Sequence, residues 1–153
     1  MKDLLNLEYN QEIIIEKNTY IVKAMLKFIE GSSYWLEYIL QDKKSSETFY
    51  LDAEPIGKYA LHRMTNLVIY PQMEVSFEGE KYELFQKGNA KIETYFGYTD
   101  VGLKDSVEYF EYRCKDKLLT IEKWLDMTEV SCGKYVDKSK IKVKKIEEDN
   151  FRL

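Results

Sequence analysis

Catalysis in this chain would have to begin with its single histidine, His62, and its two cysteines, Cys114 and Cys132. An imidazole within hydrogen-bond reach of a thiol makes a base and its nucleophile. The echo of "IGKYA" (56–60) in "CGKYV" (132–136) allows His62 to lie near Cys132 across the fold, but the spacing does not require it. His62 follows a Tyr-Ala-Leu run and reads as a packed or surface residue. Cys114 falls on a core position and reads as a small hydrophobe, and Cys132, before Gly133, reads as part of a turn. One histidine and two distant cysteines make no metal site. "GYTDVG" (97–102) lacks the lysine of a phosphate-binding loop, and Glu147, Glu148 and Asp149 read as a solvated terminus. The expectation is a protein with no catalytic residues, no metal and no cofactor, a small hydrolase-like enzyme being an alternative.

Recognition is the other chemistry available. The stretch "YWLEYILQDK" (34–43) returns as "EYFEYRCKDK" (108–117), with Glu111, Tyr112, Asp116 and Lys117 where the first copy has Glu37, Tyr38, Asp42 and Lys43. Period-two alternation puts Leu36, Tyr38 and Leu40 on one face and Trp35, Glu37 and Ile39 on the other; the second copy divides into Phe110, Tyr112 and Cys114 against Tyr109, Glu111 and Arg113. If the apolar face points in, each half presents outward an aromatic ring followed two residues later by a glutamate. Such a face suits a cationic or amphipathic ligand through stacking and charge. Trp35, Glu37, Tyr109, Glu111 and, after "LLTIEK", Trp124 are the candidate binding residues. The competing expectation is that Trp35 packs on a neighbour while Glu37 pairs with Lys23 or Lys27.

The elements that must hold these residues are strands. Thirteen tyrosines against 7 glycines and 2 prolines suit a pleated sheet. Ile13 and Ile15, then Tyr20, Val22, Ala24, Leu26 and Phe28, alternate on either side of a loop at Lys17-Asn18, which would set Ile15 opposite Tyr20. Val75 and Phe77, then Tyr82 and Leu84, flank a Gly79-Glu80 loop of type II′. A loop of Lys43 to Ser46 sets Leu36, Tyr38 and Leu40 against Ala53, Leu51 and Phe49; an Asp116-Lys117 turn sets Leu119 against Cys114 and Ile121 against Tyr112. The ordered echoes predict an all-β single domain (1–153) of little helix, built from two tandem antiparallel meander repeats at about 8–70 and 73–147, packed as a pseudo-symmetric barrel or sandwich. The apolar "TNLVIYP" (65–71) would join halves that share a core. The second half spends extra residues around the 97–106 loop, read as strand extension, and Lys140, Lys142 and Lys144 alternate with Ile141 and Val143 as a last edge strand. Beyond Glu147 fraying is expected.

The net charge of −4 gives no field for nucleic acid. The opening "MKDLLNLEYNQ" is interrupted by Asp3, Asn6 and Glu8 and is no signal peptide, and no apolar run has the length of a membrane span. The expected setting is cytoplasmic. The "YWLEYILQD" and "TFYLDAE" strands, with a second round ending "YFEYRCKDKLLTIEKW" and "SCGKYVDKSKI", resemble the bacterial family called domain of unknown function 4178. That resemblance implies a bacterial, β-rich, duplicated domain without an assigned activity, accessory to envelope-stress or polyamine-related systems. "TFYLDAE" departs from the tryptophan-containing version of that strand. The functional expectation is a non-catalytic binding or scaffold module whose partner is a protein or a small cationic ligand. An immunity-type acidic inhibitor of a basic toxin is the alternative; the oligomeric state is not legible.

Overall fold

The computed structural model describes residues 4–99 and 105–144. Eleven strands follow one another: β1 (Glu12–Ile15), β2 (Asn18–Glu30), β3 (Ser33–Asp42), β4 (Thr48–Glu54), β5 (Lys58–Met64), β6 (Glu74–Phe77), β7 (Glu80–Gly97), β8 (Ser106–Cys114), β9 (Lys117–Lys123), β10 (Thr128–Val136) and β11 (Ile141–Val143), with one 3-10 turn at Lys138–Lys140. They form a single antiparallel sheet in the order β11-β1-β2-β3-β4-β5-β10-β9-β8-β7-β6, and β2 also pairs with β7. That extra seam closes the eight strands from β2 round to β7 into a barrel. The protein is all-β, as the alternation requires.

Hairpin loops set the registers. Between β3 and β4, Asp42 Oδ1 accepts the backbone N–H groups of Lys44 and Ser45 (2.8 and 3.1 Å), and this Asx-type turn delivers the predicted pairs Leu36–Ala53, Tyr38–Leu51 and Leu40–Phe49. The three tight hairpins differ from expectation by one common step. Their loops are Glu16-Lys17, Glu78-Gly79 and Lys115-Asp116, each one residue earlier than predicted. Ile15 therefore pairs with Asn18, Val75 with Tyr82, and Tyr112 with Leu119. The reason is that the first loop residue takes a positive φ although it is not glycine: Glu16 59°, Glu78 50° and Lys115 57°. With Gly79 at φ 79° the second hairpin is type I′, not II′. Moving the loop by one shifts each register by two, so the buried faces survive. Because Glu bears the left-handed conformation at a cost of about 1–2 kcal/mol, Glu78→Asn should raise stability by roughly 0.5–1 kcal/mol, read as a higher denaturant midpoint at unchanged m-value.

Bulges then decide which side each residue faces. The β2–β3 register slips between Val22 and Ala24, and the β7–β8 register between Leu84 and Gln86. An extra residue in one strand re-aims all that follow. Tyr20 and Val22 belong to one apolar cluster, whereas Leu26 and Phe28, of the same sequence parity, belong to another.

Contrary to the expectation of a shared core, the meanders consequently do not turn their apolar sides to one common interior. Ile13, Ile15, Tyr20, Leu36, Tyr38, Leu51 and Leu61 form a core beneath the chain segment carrying Leu4 and Leu7. Phe77, Tyr82, Phe110, Tyr112, Leu119 and Ile121 form a second, against which Ile69 of the linker packs. The first core also takes in Val136 and Ile141 from the end of the chain, and a third, smaller cluster joins β2 to β7 and β8: Leu26, Phe28, Ala90, Ile92, Val107 and Tyr109. The linker itself is largely outside, with Val68 80% and Tyr70 82% exposed.

Five strands per half run in the same order, and the seams β5–β10 and β2–β7 join like to like. Tyr38 and Tyr112 occupy matching places: each hydroxyl accepts a backbone N–H from the segment leading into its half, Leu7 (3.2 Å) and Gln72 (3.1 Å). The third echo does not match, because Gly57 sits in the turn before β5 while Gly133 lies inside β10 opposite His62. These are equivalences of position and say nothing of ancestry. β7 does extend, leaving β8 after Lys91 to pair with β2 as far as Gly97. Residues 100–104 of the 97–106 loop, and the fraying expected beyond Glu147, lie outside the described residues.

Candidate functional site

β3 and β9 are not neighbours in the sheet, nor are β4 and β8. Their charged side chains nonetheless meet: Glu37 feels the charges of Glu122, Asp52 and Glu129, and Glu111 that of Asp52. This face is therefore the inside of the barrel. The sequence placed Trp35, Glu37, Tyr109 and Glu111 on an outward face; ring closure turns that face inward and gives the outer, apolar faces separate cores.

The barrel interior holds a cavity of about 200 Å³. Its aromatic end is ordered by ring contacts: Phe28 stacks on Trp35 (5.4 Å between centroids, 12° between planes), Tyr109 meets Trp35 edge-on at 5.7 Å, and Trp124 stands 6.2 Å from Phe28. The Tyr109 hydroxyl donates to Glu30 Oε1, and the Asn89 N–H to Glu30 Oε2 (3.1 Å). Burial and then the Glu30 carboxylate push the Tyr109 phenol well above its ordinary range. A side chain at Gly88 would run into both partners, its Cβ falling 2.6 Å from the Tyr109 hydroxyl.

Toward the middle the lining turns acidic. Glu30, Glu37, Asp52, Glu54, Glu111 and Glu122 line the cavity, and among the described residues no lysine or arginine does. Burial first, then neighbouring carboxylates, raise the acid groups: Glu111 to about 7, Glu122 to about 8, and Glu37 in the same direction. Like charges packed together cannot all ionise. Glu37 hydrogen-bonds Asp52, and Trp124 Nε1–H donates to Glu122 at 3.4 Å. Lys27 instead bonds Glu93 (2.9 Å) and Lys23 bonds Asn10 (3.2 Å), so Glu37 has neither of the lysines the sequence offered it.

His62 is 5% exposed, and its Nε2 lies 3.2 Å from Asp52 Oδ2. Burial lowers the imidazole pKa, but Asp52, Glu111 and Glu122 outweigh it, and the net shift is upward. Cys132 is in strand β10, not in a turn; it pairs with Arg63 and packs on the second-half core, whereas His62 stands opposite Gly133 and turns toward Asp52. Consecutive residues of a strand face opposite sides, so no Cys–His pair forms. Cys114 packs on the core as expected, its thiol donating to Glu80 Oε2 at 3.4 Å. Among the described residues no group of three or more His, Cys, Asp or Glu is arranged to hold a metal ion, and no helix is long and apolar enough to cross a membrane.

All five candidates thus surround one space: four line the cavity and Trp124 flanks it. Sequence reasoning missed Phe28, Glu30, Asp52, Glu54, Glu122 and the Asp52–His62 pair. One signal was available, since Asp52 and Glu122 each interrupt an apolar strand at the parity of Glu37 and Glu111.

In class, then, this is a closed antiparallel β-barrel with an acidic, aromatic-ended interior. The chain belongs to the family described as Domain of unknown function (DUF4178), whose model matches residues 9–138. Comparison with curated proteins and with solved structures gives no match.

Proposed function

We propose that the protein is a non-catalytic binding module whose barrel interior receives a small organic cation. The observation that carries this reading is a cavity lined, among the described residues, by six acidic residues, no lysine or arginine and an aromatic wall. An ammonium group entering it would meet the faces of Trp35 and Phe28 and add countercharge to Glu37, Glu111 and Glu122, whose burial and acidic neighbours outweigh His62 and Lys58. The ligand is small, because about 200 Å³ falls below the ~300–1,000 Å³ of pockets for drug-sized molecules.

Two observations weigh against the alternatives. His62 Nδ1 is buried without a hydrogen-bond partner among the described residues, so none of their hydroxyls or thiols is readied by it for attack. An inhibitor of a basic toxin needs its acids on the surface, while this group of acids faces inward.

Calorimetric titration with benzylamine and tetramethylammonium is the test. At least one should bind saturably at pH 7.5, benzyl alcohol should not, and Glu37→Gln or Trp35→Leu should weaken binding at least about tenfold, or ~1.4 kcal/mol, with an unchanged circular dichroism spectrum. Equal binding of benzyl alcohol, or no heat from either cation, overturns the reading.

A further inference from the structure

Among the described residues, the first half of the sheet carries a strand that the second half lacks. The backbone groups of Glu12, and of Glu16 just past β1, turn away from β2 and bond the residues flanking β11: the Lys144 N–H donates to Glu12 O (3.0 Å) and the Glu16 N–H to Lys140 O (2.8 Å). The Glu12 carboxylate holds the ammonium groups of Lys144 (3.2 Å) and Lys43 (3.1 Å). Gln11, 2% exposed, lies beneath and donates to Lys144 O.

β6 occupies the corresponding place in the second half. The Val22 N–H bonds Gln11 O and the Leu84 N–H bonds Met73 O, each at 2.9 Å, so Met73 stands where Gln11 does, Glu74 where Glu12 does and Ser76 where Ile14 does. Strand alternation then points the backbone N–H and C=O groups of Glu74 and Ser76 away from β7. The sheet ends there, and among the described residues nothing bonds them. Where Gln11 is covered, Met73 is 76% exposed. Protein edges are blunted by shortness, by charge, above all lysine, by proline or by a bulge; β6 is only four residues long and its charge is glutamate, with no lysine, proline or bulge.

We propose that the outer edge of β6 is a docking site for an extended segment of a partner protein in which apolar and basic residues alternate, added as an antiparallel strand in the way β11 is added to β1. Charge selects this occupant. Pairing β6 with β6 of a second copy would set Glu74 and Glu78 against their own kind. A second copy's β11 is held on its own β1 within one chain, where its effective concentration is far higher. Glu74 meets Lys81 of β7 at 3.6 Å, where Glu12 holds two ammonium groups; a lysine-bearing strand gives Glu74 a second cation as Lys144 does for Glu12, and its backbone satisfies the open groups. This surface is independent of the barrel interior, and the site proposed there can fail without affecting it.

A fluorescein-labelled peptide of residues 138–144, "KSKIKVK", is the probe, titrated into the full chain and followed by anisotropy. The expected result is saturable binding that weakens at least about tenfold in Ser76→Pro, whose lost N–H points outward so that the β6–β7 ladder is spared, and likewise in Glu74→Lys, which leaves the backbone untouched. Ile14→Pro should not change it. Absence of binding, binding lost in Ile14→Pro but kept in Ser76→Pro, or equal binding of the peptide with glutamate at its lysines each overturns the proposal. So does a dimer in sedimentation velocity that Ser76→Pro abolishes, because the edge would then be filled by a second copy.

Discussion

Raising the pH from 5 to 8 should destabilise the ligand-free protein by roughly 3 kcal/mol or more, since one pKa unit corresponds to ~1.4 kcal/mol. The cause is the barrel interior. Burial and neighbouring acids raise Glu111 to about 7 and Glu122 to about 8, and Glu37 also upward, from an ordinary value near 4.5. A carboxyl whose pKa is higher in the folded state holds its proton more tightly there. The folded state is therefore favoured below about 4.5 and loses that advantage as pH climbs through the folded values. His62, also raised, adds a loss of the same sign above its ordinary 6.5. Glu12, Glu80 and Asp137 are lowered, by Lys43, Lys117 and the Ser139 N–H respectively; their contribution is present at neutral pH and fades only on acidification below the ordinary carboxylate range. Maximum stability thus falls near pH 5. Urea denaturation at pH 5, 6.5 and 8 measures it, and Glu122→Gln should flatten the decline. A midpoint that holds or rises to pH 8 would show that the carboxylates are solvated and the interior wet. The same charges bear on the ligand: a cation should bind more tightly as pH rises over this range, because it meets more carboxylate.

Truncating either matched tyrosine is expected to cost about 3–5 kcal/mol, as for other large aromatic residues cut to alanine in a packed core. Tyr38 is 1% and Tyr112 0% exposed, each at the centre of its own cluster. For a chain of this length that corresponds to a melting temperature lower by roughly 6–20 °C. The hydroxyls add a smaller share. Tyr112 both accepts the Gln72 N–H (3.1 Å) and donates to Gln72 O (2.9 Å), so Tyr112→Phe should cost about 1 kcal/mol. Comparable losses for Tyr38→Ala and Tyr112→Ala would show that the two outer cores bear the fold together. A loss confined to one of them would mean that the halves unfold separately, visible as two transitions in the melt.

Much of this fold was legible residue by residue. The four-residue loop at 43–46 fixed the β3–β4 pairs because Asp42 is built for that turn. The tight hairpins were displaced by one residue because a positive φ at Glu16, Glu78 and Lys115 leaves no mark in residue type. The candidate residues Trp35, Glu37, Tyr109 and Glu111 were found as a group because aromatic and acid recur at one strand parity, and Trp124 was added from its place after "LLTIEK". Their surroundings were not, since the partners that raise Glu37 and Glu111 come from strands far away in sequence.

By itself the sequence determined strand content, the phase of each strand and the residues that share a face, because side-chain alternation is local. It could not determine which face is inside. Alternation reads the same from either side of a sheet, and an apolar face is satisfied equally by a common interior or by two separate cores. The β2–β7 seam and the bulges after Val22 and Leu84 made that choice. They depend on where distant strands meet, which only the tertiary structure decides.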